Sequence, residues 1–190
     1  PAGHWCTAGL TVPCSVGYYN PNQGANNQTA CIRCPENSIT SAEGATSKVD
    51  CTCTAGFLSQ LDPLTNELRC ECGMGYGLVR VGGAESCQAC AVGSYKRVRG
   101  NVRCEDCARD RTTLEAGAIS NTSCTCKAGL YRNIEGDCQP CPTPGTACVE
   151  PGETVQTLPL VGGYWRARDS TDVLHRCYTE GFCPHANGSA

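Results

Sequence analysis

The chain has 190 residues, among them 19 cysteines, 22 glycines and 11 prolines, with 6% aromatic residues and a formal net charge of -3. This cysteine density marks a disulfide scaffold from an oxidising compartment, and so few aromatics exclude one large packed core, for which covalent staples substitute. The mild charge argues against nucleic acid or an anionic membrane surface as partner, and the longest apolar run, Leu158 to Val161, is far too short to cross a bilayer.

The first residue is Pro1 and no leader is visible, so the expectation is a segment of a longer secreted or surface chain. Residues 1–13 read as the end of an upstream module. They carry Cys6, the cysteine nearest a cut end. Because the cysteine count is odd, Cys6 is the one expected to lack a partner within the segment.

Module 1 covers residues 14–70 and opens Cys14-Ser15-Val16-Gly17-Tyr18-Tyr19. Module 2 covers residues 90–138 and opens Cys90-Ala91-Val92-Gly93-Ser94-Tyr95. Residues 71–89 form a connecting half-module. Inside both modules a C-x-x-C pair is followed, sixteen residues on, by a C-x-C-x-x-G element. Cys31, Cys34, Cys51 and Cys53 recur as Cys104, Cys107, Cys124 and Cys126, all shifted by 73 positions. Such register identifies an internal duplication. Residues 139–190 change character: a Pro/Gly loop from Cys141 to Cys148 precedes 28 residues without cysteine, which hold Leu158-Pro159-Leu160-Val161-Gly162-Gly163-Tyr164-Trp165-Arg166. The Leu, Val, Tyr and Trp of this stretch are expected to pack on the preceding module.

Two cysteines separated by one residue point to opposite faces of a strand, so each reaches a different partner. Pairing nearest available partners gives Cys14–Cys31, Cys34–Cys51, Cys53–Cys70, Cys72–Cys87, Cys90–Cys104, Cys107–Cys124, Cys126–Cys138, Cys141–Cys148 and Cys177–Cys183. Sequence leaves open a crossed pattern in the first half of each module. The expected fold is small and disulfide-rich, with tandem modules of short β-hairpins, little helix and an elongated, rod-like form.

Sequons at Asn27, Asn121 and Asn187 predict covalent N-glycans. Lys96, Arg97, Arg99 and Arg103 place four cations within eight positions. They are candidates for contact with a polyanion, with a solvated loop balanced by Glu105 and Asp106 as the plainer reading. The C-x-x-C pairs have zinc-ligand spacing, but those of both modules are followed by C-x-C elements that suit a disulfide ladder instead. His4, His175 and His185 form no paired-ligand spacing, and no carboxylate pair suggests acid/base chemistry. The expectation is no catalytic residue, no metal and no cofactor.

The run from Cys87 through Cys90-Ala91-Val92-Gly93-Ser94-Tyr95, Cys107, Cys124-Thr125-Cys126-Lys127-Ala128-Gly129 and Cys138 resembles the EGF-like, tumour-necrosis-factor-receptor-like repeat of ephrin receptor ectodomains. Val-Gly stands where that family usually has Pro-Gly, and its Cys-Pro appears as Cys34-Pro35 but as Cys107-Ala108 in the second copy. The ending, from Leu158 through Cys183, is similar to a segment of very large surface proteins of algae and other protists. The resemblance implies a non-enzymatic extracellular module. Its expected role is a stalk, or a filament or matrix subunit, of a glycosylated surface protein, secreted or on the outer face of the cell. The alternative is a ligand-binding receptor ectodomain or adhesion segment. Expected partners are other copies of the chain, neighbouring extracellular domains, or a protein ligand.

Overall fold

The computed structural model describes residues 1–178. Secondary structure there consists of nine two-stranded sheets and three single-turn 3-10 segments. No helix among the described residues is long and apolar enough to cross a membrane. The chain divides into two compact units. One comprises Pro1–Gly73, Gly77–Gln88 and Val98–Arg103, and the other Met74–Tyr76, Ala89–Arg97 and Cys104 onward.

In the first unit His4–Thr7 pairs antiparallel with Leu10–Pro13, Tyr18–Tyr19 with Ile32–Arg33, Ser38–Thr40 with Cys51–Cys53, and Leu58–Leu61 with Leu68–Glu71. The body of a further hairpin, Gly77–Gln88, also lies in this unit; its strands Tyr76–Val81 and Ala84–Ala89 pair across the Gly82-Gly83 turn. Residues 4–13 thus form a hairpin, and main-chain bonds sew it to the first repeat. Gly3 donates its N–H to Asn20 O, and Cys14 N–H returns to Gly3 O, both at 2.8 Å. The apolar centre of this unit is Phe57 with Cys70 and Cys72, joined by Cys53, Leu68, Leu78 and Cys87. Half-cystines supply much of that contact surface, as expected where aromatic residues are scarce.

The second unit pairs Ser94–Tyr95 with Glu105–Asp106, Arg111–Thr112 with Thr125–Cys126, Leu130–Arg132 with Cys138–Pro140, and Tyr164–Trp165 with His175–Arg176, all antiparallel. Its core is Tyr131, Cys148, Val155 and Leu158, with Cys141 packed against them. The apolar C-terminal stretch therefore splits. Leu158 is buried, but Trp165 is 41% exposed and lies against the His175 ring at 4.9 Å between centroids. That corrects the expectation that Trp165 packs inward. Strand alternation turns it away from the face that Tyr164 presents. Arg166 holds the segment instead, donating to the carbonyls of Val155, Gln156 and Asp169.

Both repeats use one hydrogen-bonding scheme. Gly17 and Gly93 donate their N–H groups to the hydroxyls of Thr40 and Thr113, each at 3.0 Å. Those hydroxyls donate in turn to Ala42 O and Glu115 O at 3.0 and 2.9 Å. Thr40 and Thr113 are buried. Replacing Thr113 by Val keeps the shape and strands the Gly93 N–H. The expected cost is about 1–3 kcal/mol, read as a lower denaturation midpoint, with Thr113→Ser retaining most of the stability.

Candidate functional site

The sulfur network is the dominant covalent feature. The structure joins Cys14–Cys31, Cys34–Cys51, Cys53–Cys70, Cys72–Cys87, Cys90–Cys104, Cys107–Cys124, Cys126–Cys138 and Cys141–Cys148, with Cα–Cα distances of 5.4 to 6.4 Å. No crossed pair occurs among these. The two sulfurs of each C-x-x-C go to different partners, as Cys31 to Cys14 and Cys34 to Cys51. Each C-x-C sends one sulfur backward and one forward: Cys51 reaches Cys34, and Cys53 reaches Cys70. Cys6 is a free, exposed thiol on the first hairpin. Cys177 is disulfide-bonded, while Cys183, its expected partner, lies outside the described residues.

Two sequons sit on one-turn 3-10 segments directly before a half-cystine. The Asn27 side chain caps Gln28–Ala30 by accepting the Thr29 N–H at 3.0 Å. Ser120 caps Asn121–Ser123 by accepting the Thr122 N–H at 3.1 Å. Short polar side chains are favoured at such caps. Asn27 and Asn121 are both exposed. Asn187 lies outside the described residues.

The four-cation reading needs one correction. Lys96 is 1% exposed, and its ammonium donates to Tyr76 O at 2.7 Å. It is turned into the second unit and is no surface contact for a polyanion. Its counterpart in the first copy, Asn20, is 0% exposed and donates from its amide to His4 O at 2.8 Å. One buried donor position per repeat thus fastens the preceding hairpin strand, filled once by Asn and once by Lys. The aligned openings held the signal, since Asn20 and Lys96 each follow the second aromatic position, but the charge of Lys96 suggested solvent. Arg97 on the second unit is exposed, as are Arg99 and Arg103 on the first.

Among the described residues no group of three or more His, Cys, Asp or Glu is placed to hold a metal ion. Perturbed titrations follow turn and strand contacts. The Asp62 carboxyl is lowered by the N–H groups of Thr65 and Leu64, aided by Arg69. Glu85 is lowered by the Asn37 amide and then by Arg80. Both belong to hairpins.

Tyr131 is 2% exposed, and its phenol donates to Asp172 Oδ2 at 2.5 Å. Burial, then this carboxylate, pushes the phenol up to about 12. The folded chain therefore holds that proton more tightly than the unfolded chain, where tyrosine titrates near 10. Stability from this contact is complete below about pH 10 and declines as pH rises to about 12. Tyr131→Phe is expected to lower stability by about 1 kcal/mol at neutral pH and to flatten this alkaline decline. Denaturant midpoints measured across that pH range check both effects.

The fold and the sulfur pattern define a tandem cysteine-rich repeat region. Residues 6–51 and 77–124 match the family described as tyrosine-protein kinase ephrin type A/B receptor-like, so the chain carries two repeats of that kind. It is also similar to two proteins of Toxoplasma gondii. Cysteine repeat modular protein A is 29% identical over 137 residues, covering 68% of this chain and 4% of that protein. Cysteine repeat modular protein B is 35% identical over 88 residues, covering 38% of this chain and 1% of that protein. The chain therefore spans only a small fraction of the length of these relatives.

Proposed function

We infer that the chain is a non-catalytic structural segment of an extracellular surface protein, carrying N-glycans at Asn27, Asn121 and Asn187 and serving as part of a stalk, filament or matrix. The observation that carries this reading is the duplicated frame itself. Loop-closing disulfides and backbone bonds recur in both repeats while the exposed side chains differ, and the buried polar groups Asn20, Thr40, Lys96 and Thr113 all bond to main chain. A scaffold that repeats its frame and not its surface suits spacing and mechanical support. The modular relatives and the ephrin-receptor-like match support the extracellular setting.

Electron microscopy of the native surface material, labelled with antibody to this chain, tests the reading. Labelling along a regular filament or coat is expected. A dispersed label, together with saturable binding of the isolated chain to a protein ligand, favours the receptor or adhesion alternative. Trp165 gives that alternative a definite surface, since exposed aromatics are common anchors of interfaces. Under that reading Trp165→Ala abolishes binding, whereas the structural reading leaves it without effect on assembly.

A further inference from the structure

A groove of about 410 Å³ opens on the first unit. Its walls include Trp5, Val12, Pro13, Tyr18, Asn27 and Thr29, beside the Cys14–Cys31 disulfide. That volume falls in the range of small-ligand sites, roughly 300–1,000 Å³. Asn27 is both a wall of the groove and the acceptor residue of a sequon.

We propose that the first sugars of an N-glycan on Asn27 fold back into this groove and lie against Trp5 and Tyr18. The proposal rests on the glycosylation reading above. A pyranose ring presents a face of C–H bonds edged by hydroxyls. Trp5 and Tyr18 offer the complement: flat apolar faces with a polar edge, an indole N–H and a phenol O–H. Asn27 is fixed by its cap bond to the Thr29 N–H, so its attachment point is held at the groove wall. Covalent tethering makes the encounter intramolecular, so weak stacking is enough to populate the folded-back state.

The second repeat supplies a comparison within the same chain. Gly3 and Gly75 hold equivalent places, each accepting from the first cysteine of its repeat. Two positions on, the first repeat has Trp5 and the second has Gly77. Tyr18 aligns with Ser94, and the first disulfide loop shortens from a separation of 17 to one of 14. No sequon lies in that shorter loop. The two aromatics and a sequon inside the first disulfide loop are present together in one copy and absent together from the other. The glycan would cover apolar surface that the first repeat otherwise leaves to solvent.

The test uses the chain secreted from a glycosylating host. Peptide mass spectrometry first establishes occupancy at Asn27 and Asn121. Under native conditions, a glycan-releasing amidase is expected to act severalfold more slowly at Asn27 than at Asn121, which does not line the groove. Trp5→Ala is expected to remove that difference. A second readout leaves Trp5 intact. With Trp165→Phe as background, Trp5 is the remaining tryptophan of the two, and its quenching by a neutral collider should rise severalfold when the Asn27 glycan is removed. An unoccupied Asn27 overturns glycosylation at this site and the packing with it. An occupied Asn27 with equal release rates and unchanged Trp5 quenching overturns the packing alone.

Discussion

Gly75→Ala is expected to cost about 3–5 kcal/mol, combining left-handed strain with overpacking. A Cβ at Gly75 would stand 2.3 Å from Gly117 O, with φ at +75°. The two nearest atoms, Gly117 O and C, are backbone and cannot swing away, and Ile119 Cγ2 stands at 3.2 Å beside them. The same substitution at Gly3 meets Gly44 O at 2.0 Å with φ at +77°. Gly75 N–H donates to Lys96 O and Gly75 O accepts from Cys90 N–H, all within the second unit. Loss of that contact should appear first as faster hydrogen exchange at Cys90 and Gly117, whose amides belong to the same set of bonds. Gly82→Ala is the control. Its φ is also positive, but nothing lies within 4 Å, so the strain acts alone and the cost is about 1–2 kcal/mol. Equal effects at Gly75 and Gly82 would show that close approach is not what requires the glycine.

Removing the Cys72–Cys87 disulfide by a double alanine substitution is expected to cost about 3–5 kcal/mol. The bond closes a separation of 15 residues, worth about 3 kcal/mol in the chain-entropy description. Cys72 is also fully buried against Phe57 and Cys70, so its sulfur is lost from the apolar centre of the first unit. The Cys141–Cys148 bond spans only 7 residues, and the entropy description gives it about 2–2.5 kcal/mol. Denaturant midpoints under non-reducing conditions compare the two. Cys148 is also part of a buried cluster, so loop length is the main difference between the two bridges, and a smaller effect at Cys72–Cys87 than at Cys141–Cys148 would mean that loop length does not set their order. Lower secretion yield is the expected cellular counterpart, because small domains of this kind depend on their bridges.

Much of the architecture is legible in residue order. Four cysteines that recur in register 73 residues on define the duplicated unit. The C-x-C spacing dictates that neighbouring sulfurs part company, since successive strand side chains point to opposite faces. The hairpins arise from turn residues such as Gly82-Gly83 and Asp62-Pro63. In each case the signal is local, and the physics acts within a few residues.

The remaining features arise from encounters between distant segments. Gly3 and Cys6 donate main-chain N–H groups to the carbonyls of Asn20 and Ala25, and such groups carry no mark of residue type. Lys96 looks like one more surface cation in a run of four, yet tertiary structure buries it where the first repeat places Asn20. A long side chain with an apolar stem can do this when its ammonium finds a carbonyl. Trp165, the largest apolar group in its segment, faces outward on its strand, while Leu158 and Val155 pack beside Tyr131. The sequence alone determined the class of scaffold, its repeat and the local turns, because disulfide spacing and turn chemistry are written in residue types. The tertiary structure alone decided which glycines must stay bare, which polar groups are buried, and that Asn27 shares a groove with Trp5 and Tyr18, because those outcomes depend on backbone meeting backbone across the fold.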